Sequence, residues 1–176
     1  MAQWTIDPDH SVAAFNVRHM MICNVHGQFN KVSGSIRFDP AEPANASVEA
    51  TIDVTGVYTG IQKRDDHLRS PDFFDVANWP VMTFTSTRVE GRGENRLTVI
   101  GNLTIRGTTR QVVLEAEYRG PVKSPFGDET TIGFTATTAI DRTDFGVSWN
   151  EAMEGGGMVA GNRVAITLDV EADMVG

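Results

Sequence analysis

The densest cluster of titratable side chains in this chain is Arg64-Asp65-Asp66-His67-Leu68-Arg69-Ser70-Pro71-Asp72. An arginine, a histidine and carboxylates this close together could supply an anion holder, an acid and a base. The same spacing also describes a salt-bridged helix surface, because Asp65 and Arg69 stand one helical turn apart. Phe73-Phe74-Asp75 follows and ties the block to a core. The segment therefore reads as a lid, with Arg64 and His67 placed where the polar head of a ligand would emerge, or as a lid that these charges merely pin.

Other candidates for chemistry are sparser. His10, His19 and His26, with Asp7 and Asp9, invite a zinc reading. They show neither a His-x-x-x-His spacing nor a cysteine pair, so the expectation is no metal and no cofactor. There is no Gly-x-Ser-x-Gly elbow, no phosphate-binding loop and no dinucleotide fingerprint, and no activated nucleophile is visible. The chain reads as non-catalytic. Glu154-Gly155-Gly156-Gly157-Met158 is a loop whose backbone N–H groups could cradle an anion. Trp149 and Met153, large and apolar beside it, suit a pocket mouth or a homodimer contact.

Those residues need a scaffold, and the rest of the sequence is almost entirely strand-like. Period-two alternation marks strands near residues 2–7, 11–19, 27–39, 46–57, 80–90, 96–106, 109–121, 130–141 and 161–173. Short polar turns between them, such as Gly91-Arg92-Gly93-Glu94-Asn95 and Arg106-Gly107-Thr108, make an antiparallel meander. Ile61–Ser70 lacks the alternation and is expected to be a short helix, and His19–Val25 an irregular segment with a helical turn. Parity puts Ala13, Phe15, Val17 and His19 on one inward face, followed by Gly34, Ile36 and Phe38, then Leu103, Leu114, Phe134 and Ile166 on later strands. About eight such strands can close into a barrel without free edges, wide enough to hold a small ligand or to be filled by its own side chains. The fold expected is a single all-β domain over residues 1–176.

Composition narrows the partners. The chain of 176 residues carries 23 acidic against 15 basic side chains, a net charge of −8. That balance excludes nucleic acid, whose affinity comes from clustered Lys and Arg, and predicts repulsion from anionic lipid headgroups. Cys23, the one cysteine, has no internal disulfide partner and reads as a small buried apolar residue. No integral membrane segment is expected, and the Met1-Ala2-Gln3-Trp4 start lacks a signal pattern, which points to a cytoplasmic location.

In order along the chain, Trp4-x-Ile6-Asp7-x2-His10-Ser11-x3-Phe15-x-Val17-x-His19, Gly27-x-Phe29, Arg64-Asp65-x-His67-Leu68-Arg69-Ser70-x-Asp72-Phe73-Phe74-Asp75 and Trp79-Pro80-x-Met82-x-Phe84 resemble the YceI-like family of polyisoprenoid-binding proteins. Gly101-x-Leu103-Thr104-Ile105-Arg106-Gly107 and Ile140-Asp141-Arg142-x-Asp144-Phe145-Gly146-Val147 are similar to that family's later signatures. The resemblance implies a lipocalin-like extended antiparallel barrel, dimeric in some members. Its apolar tunnel would hold a long isoprenoid, an isoprenoid quinone or another long-chain lipid for transport or storage. The ligand-binding residues then expected are Phe15, Val17, Phe29, Phe38, Arg64, His67, Met82, Phe84, Leu103, Leu114, Phe134, Trp149, Met153 and Ile166. An enzyme acting on such a lipid through Arg64, Asp65 and His67, or an interaction module with a filled core, are the competing readings.

Overall fold

The computed structural model describes all 176 residues. Ten strands follow one another as β1 Ala2–Ile6, β2 Val12–His19, β3 Cys23–Phe29, β4 Val32–Phe38, β5 Ser47–Asp53, β6 Val81–Gly91, β7 Arg96–Ile105, β8 Thr108–Lys123, β9 Thr130–Asp141 and β10 Ala160–Met174. A single α-helix, α1 (Gln62–Arg69), lies between β5 and β6. Every strand pairing is antiparallel, in the order β1-β4-β5-β6-β7-β8-β9-β10, and β1 pairs again with β10. Eight strands thus close an all-β, lipocalin-like barrel. No helix is long and apolar enough to cross a membrane.

The remaining two strands shape one end of the barrel. Trp4, Thr5 and Ile6 of β1 pair with Met174, Asp173 and Ala172 of β10. The rest of that edge of β10, from Asp169 back to Ala160, pairs with β2, which carries β3 as a hairpin. The β2–β3 hairpin therefore extends the wall at one end, where His19 lies opposite Ala160. Its outer strand is bridged by Gln28 to Tyr58 in the connection that carries α1.

The span read as one strand over 27–39 is two strands broken at Asn30–Lys31. The reason is in the parity: Gly27 and Phe29 face inward at odd positions, but Val32, Ile36 and Phe38 are buried at even ones. One continuous strand cannot bury both sets. The helical turn expected within His19–Val25 is instead a hairpin turn, closed by the Ile22 N–H donating to the His19 carbonyl at 3.1 Å, and Cys23 beyond it is exposed rather than buried. The strand expected over 46–57 stops at Asp53, after which Val54 and Val57 anchor the crossover in the core, each 1% exposed. The helix expected over 61–70 forms at 62–69.

The end of the barrel away from α1 is plugged. Phe38, 1% exposed, stacks edge-on against Tyr118 and Phe134 with ring centroids 4.9 and 5.3 Å away. Trp4, equally buried, donates its indole N–H to the Phe38 carbonyl at 3.1 Å. Aromatic pairs of this geometry add about 0.5–1.5 kcal/mol each beyond their buried area, so this floor is a firm one.

Candidate functional site

Above the floor the barrel encloses a cavity of about 410 Å³, lined by 45 residues of which 39 are hydrophobic. That volume lies within the range of small-molecule pockets. Packed protein interiors leave few voids larger than a water molecule, so the opening is a property of the side chains around it. Two of the largest, Phe15 and Phe84, lie flat on the wall. Phe15 crosses to β3, where a Cβ at Gly27, its direct cross-strand partner, would strike the ring tip and stand 2.9 Å from Cε1 and Cε2. Phe84 on β6 covers Gly101 of β7 in the same way. A glycine beneath each ring leaves space for it against the wall and keeps it out of the bore.

The six polar lining residues are Arg18, His19, Arg64, Thr138, His67 and Arg142, with no carboxylate among them. Five of the six are basic in type and gather at the α1 end. Arg18 and His19 close β2, Arg64 and His67 sit on α1, and Arg142 follows β9. In a chain of net charge −8, the only charged side chains lining the cavity are thus the guanidinium groups of Arg18, Arg64 and Arg142 at this end, with any charge on the two histidines.

Their hydrogen bonds separate structural cations from available ones. Arg142 is only 6% exposed. Its Nε donates to the Gly161 carbonyl (2.8 Å), Nη1 to Val147 (2.8 Å) and Trp149 (2.9 Å), and Nη2 to Ala160 (3.4 Å). Desolvation lowers its pKa from the ordinary arginine value, and the four carbonyls compensate by accepting its N–H hydrogen bonds. Arg142 thus clamps the chain between the 3-10 helix Arg142–Phe145 and the start of β10.

Arg64 is half-buried and pairs with no acid. Its Nε donates to Thr59 Oγ1 and its Nη2 to the Thr59 carbonyl, both at 2.7 Å. The carboxylates beside it are committed elsewhere: Asp65 accepts from the Thr59 N–H (2.9 Å) and hydroxyl (2.5 Å), Asp66 pairs with Arg69 at 3.0 Å, and Asp72 with His67 Nε2 at 2.8 Å. The Asp65–Arg69 helix pair that the spacing allowed is therefore replaced by Asp66–Arg69. His67 is also stacked edge-on between Phe73 and Trp149, centroids 5.0 and 4.8 Å away. The lid is fastened by these rings, by Phe74 against Phe29 at 5.5 Å, and by Arg106 Nη1 donating to the Phe73 carbonyl at 2.8 Å.

Of the residues expected at the ligand, Phe15, Val17, Phe29, Phe38, Arg64, His67, Met82, Phe84, Leu103, Leu114, Phe134, Trp149 and Ile166 all line this cavity, and Met153 does not. Met153 packs outside it, near Gly157 and Met21. Arg18 and Arg142 line it without having been expected there, and His19, expected on the inward face, lines it as well. His19 follows the parity of Phe15 and Val17, as read from the sequence, and Arg18 stands at the opposite parity. Arg142 sits in a quoted signature, but its role depends on carbonyls from a distant loop.

Two of the zinc candidates, His10 and Asp7, come together, with Glu171 beside them. His10 Nδ1 lies 2.6 Å from Asp7 Oδ2 and 3.9 Å from Glu171 Oε1, with all three groups within 4.8 Å of one another, while His19 and His26 are on β2 and β3. The hydrogen bond that His10 donates to Asp7 raises the His10 pKa above its ordinary value and holds Asp7 below the usual carboxylate range. When His10 is protonated, the two form an ion pair at the protein surface.

Comparisons with known proteins agree with this architecture. The model of the YceI-like domain matches residues 4–172. A UPF0312 protein of Vibrio cholerae serotype O1 is 36% identical over 148 residues, covering 83% of this chain and 78% of that one. A UPF0312 protein of Pseudomonas savastanoi pv. phaseolicola is 33% identical over the same length, covering 83% and 77%. Among solved structures, Burkholderia cenocepacia BcnA superposes with a TM-score of 0.82 at 26% identity, over 94% of this chain and 98% of that one. The Campylobacter jejuni YCEI protein does so at 0.75 and 32%, over 90% of each. A polyisoprenoid binding domain from Saccharophagus degradans shares the fold at a TM-score of 0.71 and 17% identity, over 99% and 100%.

Proposed function

The chain belongs to the YceI-like family, and from that premise we propose that it is a non-catalytic carrier that holds one long-chain lipid, a polyisoprenoid or isoprenoid quinone, in the barrel. The observation that carries the reading is the cavity itself, 39 of whose 45 lining residues are hydrophobic and whose polar residues gather at one end. Each buried CH2 is worth about 0.8 kcal/mol, so a long prenyl chain gains affinity from such a bore without polar contacts. A chain-like amphiphile fits the polarity: tail toward Phe38 and Phe134, head toward Arg64 and His67. That a domain described as polyisoprenoid-binding shares the fold is consistent with this.

The enzyme reading has no comparable support. His67 is engaged by Asp72 and by two aromatic rings, and no serine, cysteine or lysine nucleophile lines the cavity. The test is reloading. Delipidated protein offered a defined polyprenyl chain should take up about one molecule per barrel, and Phe84→Asp, which puts an unpaired charge into the lumen at a cost of several kcal/mol, should take up none or fail to fold. Wild-type protein that folds without lipid and takes up no prenyl chain would refute the carrier reading.

A further inference from the structure

An apolar patch lies outside the cavity at its polar end. Met20, Met21 and Ile22 at the tip of the β2–β3 hairpin are 43%, 61% and 77% exposed, and Met158 is 49% exposed. The tip and the loop beside it form one surface. The Met20 N–H donates to the Val159 carbonyl at 2.7 Å, and a Cβ at Gly157 would stand 3.1 Å from Met153 Cε and 3.6 Å from Met21 Cγ. Four of the seven methionines, Met20, Met21, Met153 and Met158, meet here. The patch is continuous with the tunnel, because His19 and Val159, the neighbours of Met20 and Met158 in sequence, line the cavity.

The turn at the tip is costly for these residues. Met20 and Met21 occupy its two central positions with φ of 49° and 64°, the left-handed region that hairpin turns of this sense usually fill with Asn-Gly. Large side chains held there against preference point to a use. Charge adds a second indication: the hairpin, residues 12–29, carries Arg18, His19 and His26 and no acidic side chain, in a chain with 23 acids. The adjoining loop does contribute Glu151 and Glu154.

We propose that this rim docks the protein on a lipid bilayer, with Met20, Met21 and Ile22 dipping below the headgroups and the tunnel mouth facing the membrane from which its ligand is drawn. The inference rests on the lipid-carrier reading. Water is a poor route for a long apolar chain, and a mouth bordered by unbranched thioethers and an isoleucine removes the aqueous gap. A second copy fits the patch less well, since specific interfaces use about 20–30 residues a side and this rim presents only five apolar side chains. The local absence of acids on the hairpin replaces, at this face, the repulsion that the overall charge predicts.

The test is flotation with vesicles of phosphatidylcholine containing a minority of phosphatidylglycerol. Wild-type protein should float with them in low and high salt, because apolar insertion is screened little. Met21→Glu with Ile22→Glu should lower partitioning about tenfold or more, in line with the burial of two large apolar side chains. Phe126→Glu is the control: Phe126 is 97% exposed on the β8–β9 turn at the opposite end, where Thr131 pairs with Asp173, and it should float like wild type. Failure of wild type to float, equal loss in the Phe126 variant, or loss of all binding in high salt would overturn the proposal. So would a dimer in solution that the double substitution splits into monomers. Loading with a prenyl lipid from detergent micelles, measured on the same proteins, should be unchanged by the double substitution. Absence of micellar loading in wild type would count against the carrier reading, and flotation would still judge the rim.

Discussion

Substituting Gly27→Ala should close part of the lumen from the wall side. The added Cβ would occupy the space taken by the tip of the Phe15 ring, which stands 2.9 Å away at Cε1 and Cε2. Phe15 cannot retreat along the wall, because Phe29 lies behind it with ring centroids 5.5 Å apart and Phe29 is in turn backed by Phe74. The ring must swing into the bore or the hairpin must shift. Overpacking of this kind costs about 1–3 kcal/mol, and a domain of this length loses about 2–4 °C per kcal/mol. The melting temperature should therefore fall by roughly 2–12 °C, and uptake of a long apolar probe should fall with it. Adding Phe15→Leu to Gly27→Ala should restore both, because the shorter side chain no longer meets the new methyl. Differential scanning fluorimetry and probe titration on the two variants suffice. If Gly27→Ala leaves stability and uptake unchanged, or if the double variant does no better, the claim that glycines keep these rings on the wall is wrong.

Arg142→Met should leave the carbonyls of Val147, Trp149 and Gly161 without the guanidinium that donates to them, while Ala160 keeps the Asn150 side-chain N–H at 2.6 Å; unsatisfied buried groups cost about 1–3 kcal/mol apiece but not additively, so we expect about 3–5 kcal/mol by denaturant titration. Arg64→Ala should weaken binding of a prenyl diphosphate about tenfold to a hundredfold but that of a neutral quinone only severalfold, because charge-assisted bonds are roughly twice as strong as neutral ones; equal losses would show that Arg64 only packs the lid through Thr59. For His10 and Asp7 the sign follows from both shifts: the raised His10 pKa gives stability that is full below 6.5 and lost as pH rises through its folded value, and the lowered Asp7 pKa gives stability that is full above 3.8 and lost as pH falls. A small stability maximum between those limits should thus disappear in His10→Ala, as read from melting temperature against pH. A chelator should leave the melting temperature unchanged, and a stoichiometric metal lost with His10→Ala would contradict the ion-pair account.

Much of the barrel was legible because burial follows period two. The inward parity of Leu103, Leu114, Phe134 and Ile166 located the lining, and the aromatic-flanked polar block located the lid. The break at Asn30–Lys31 was also readable, since Phe29 and Val32 cannot face the same way along one strand. What could not be read was which partners the charges would choose. Arg64 turns to Thr59, five residues back, and Arg142 to carbonyls as far as Gly161, because burial rewards any acceptor within reach and sequence distance does not limit reach. The open bore was equally hidden: composition alone cannot distinguish a ring lying over a glycine from one filling a core. That distinction depends on cross-strand register, which sets Phe15 opposite Gly27.

The most direct test of the account is to purify the protein under native conditions, extract it with organic solvent and weigh what is released by mass spectrometry. The account predicts a long-chain apolar lipid, isoprenoid in its fragmentation, at up to one molecule per chain, and its absence from protein carrying Phe84→Asp. A folded wild-type protein that releases no lipid, and whose cavity excludes a prenyl chain when one is supplied, would contradict it.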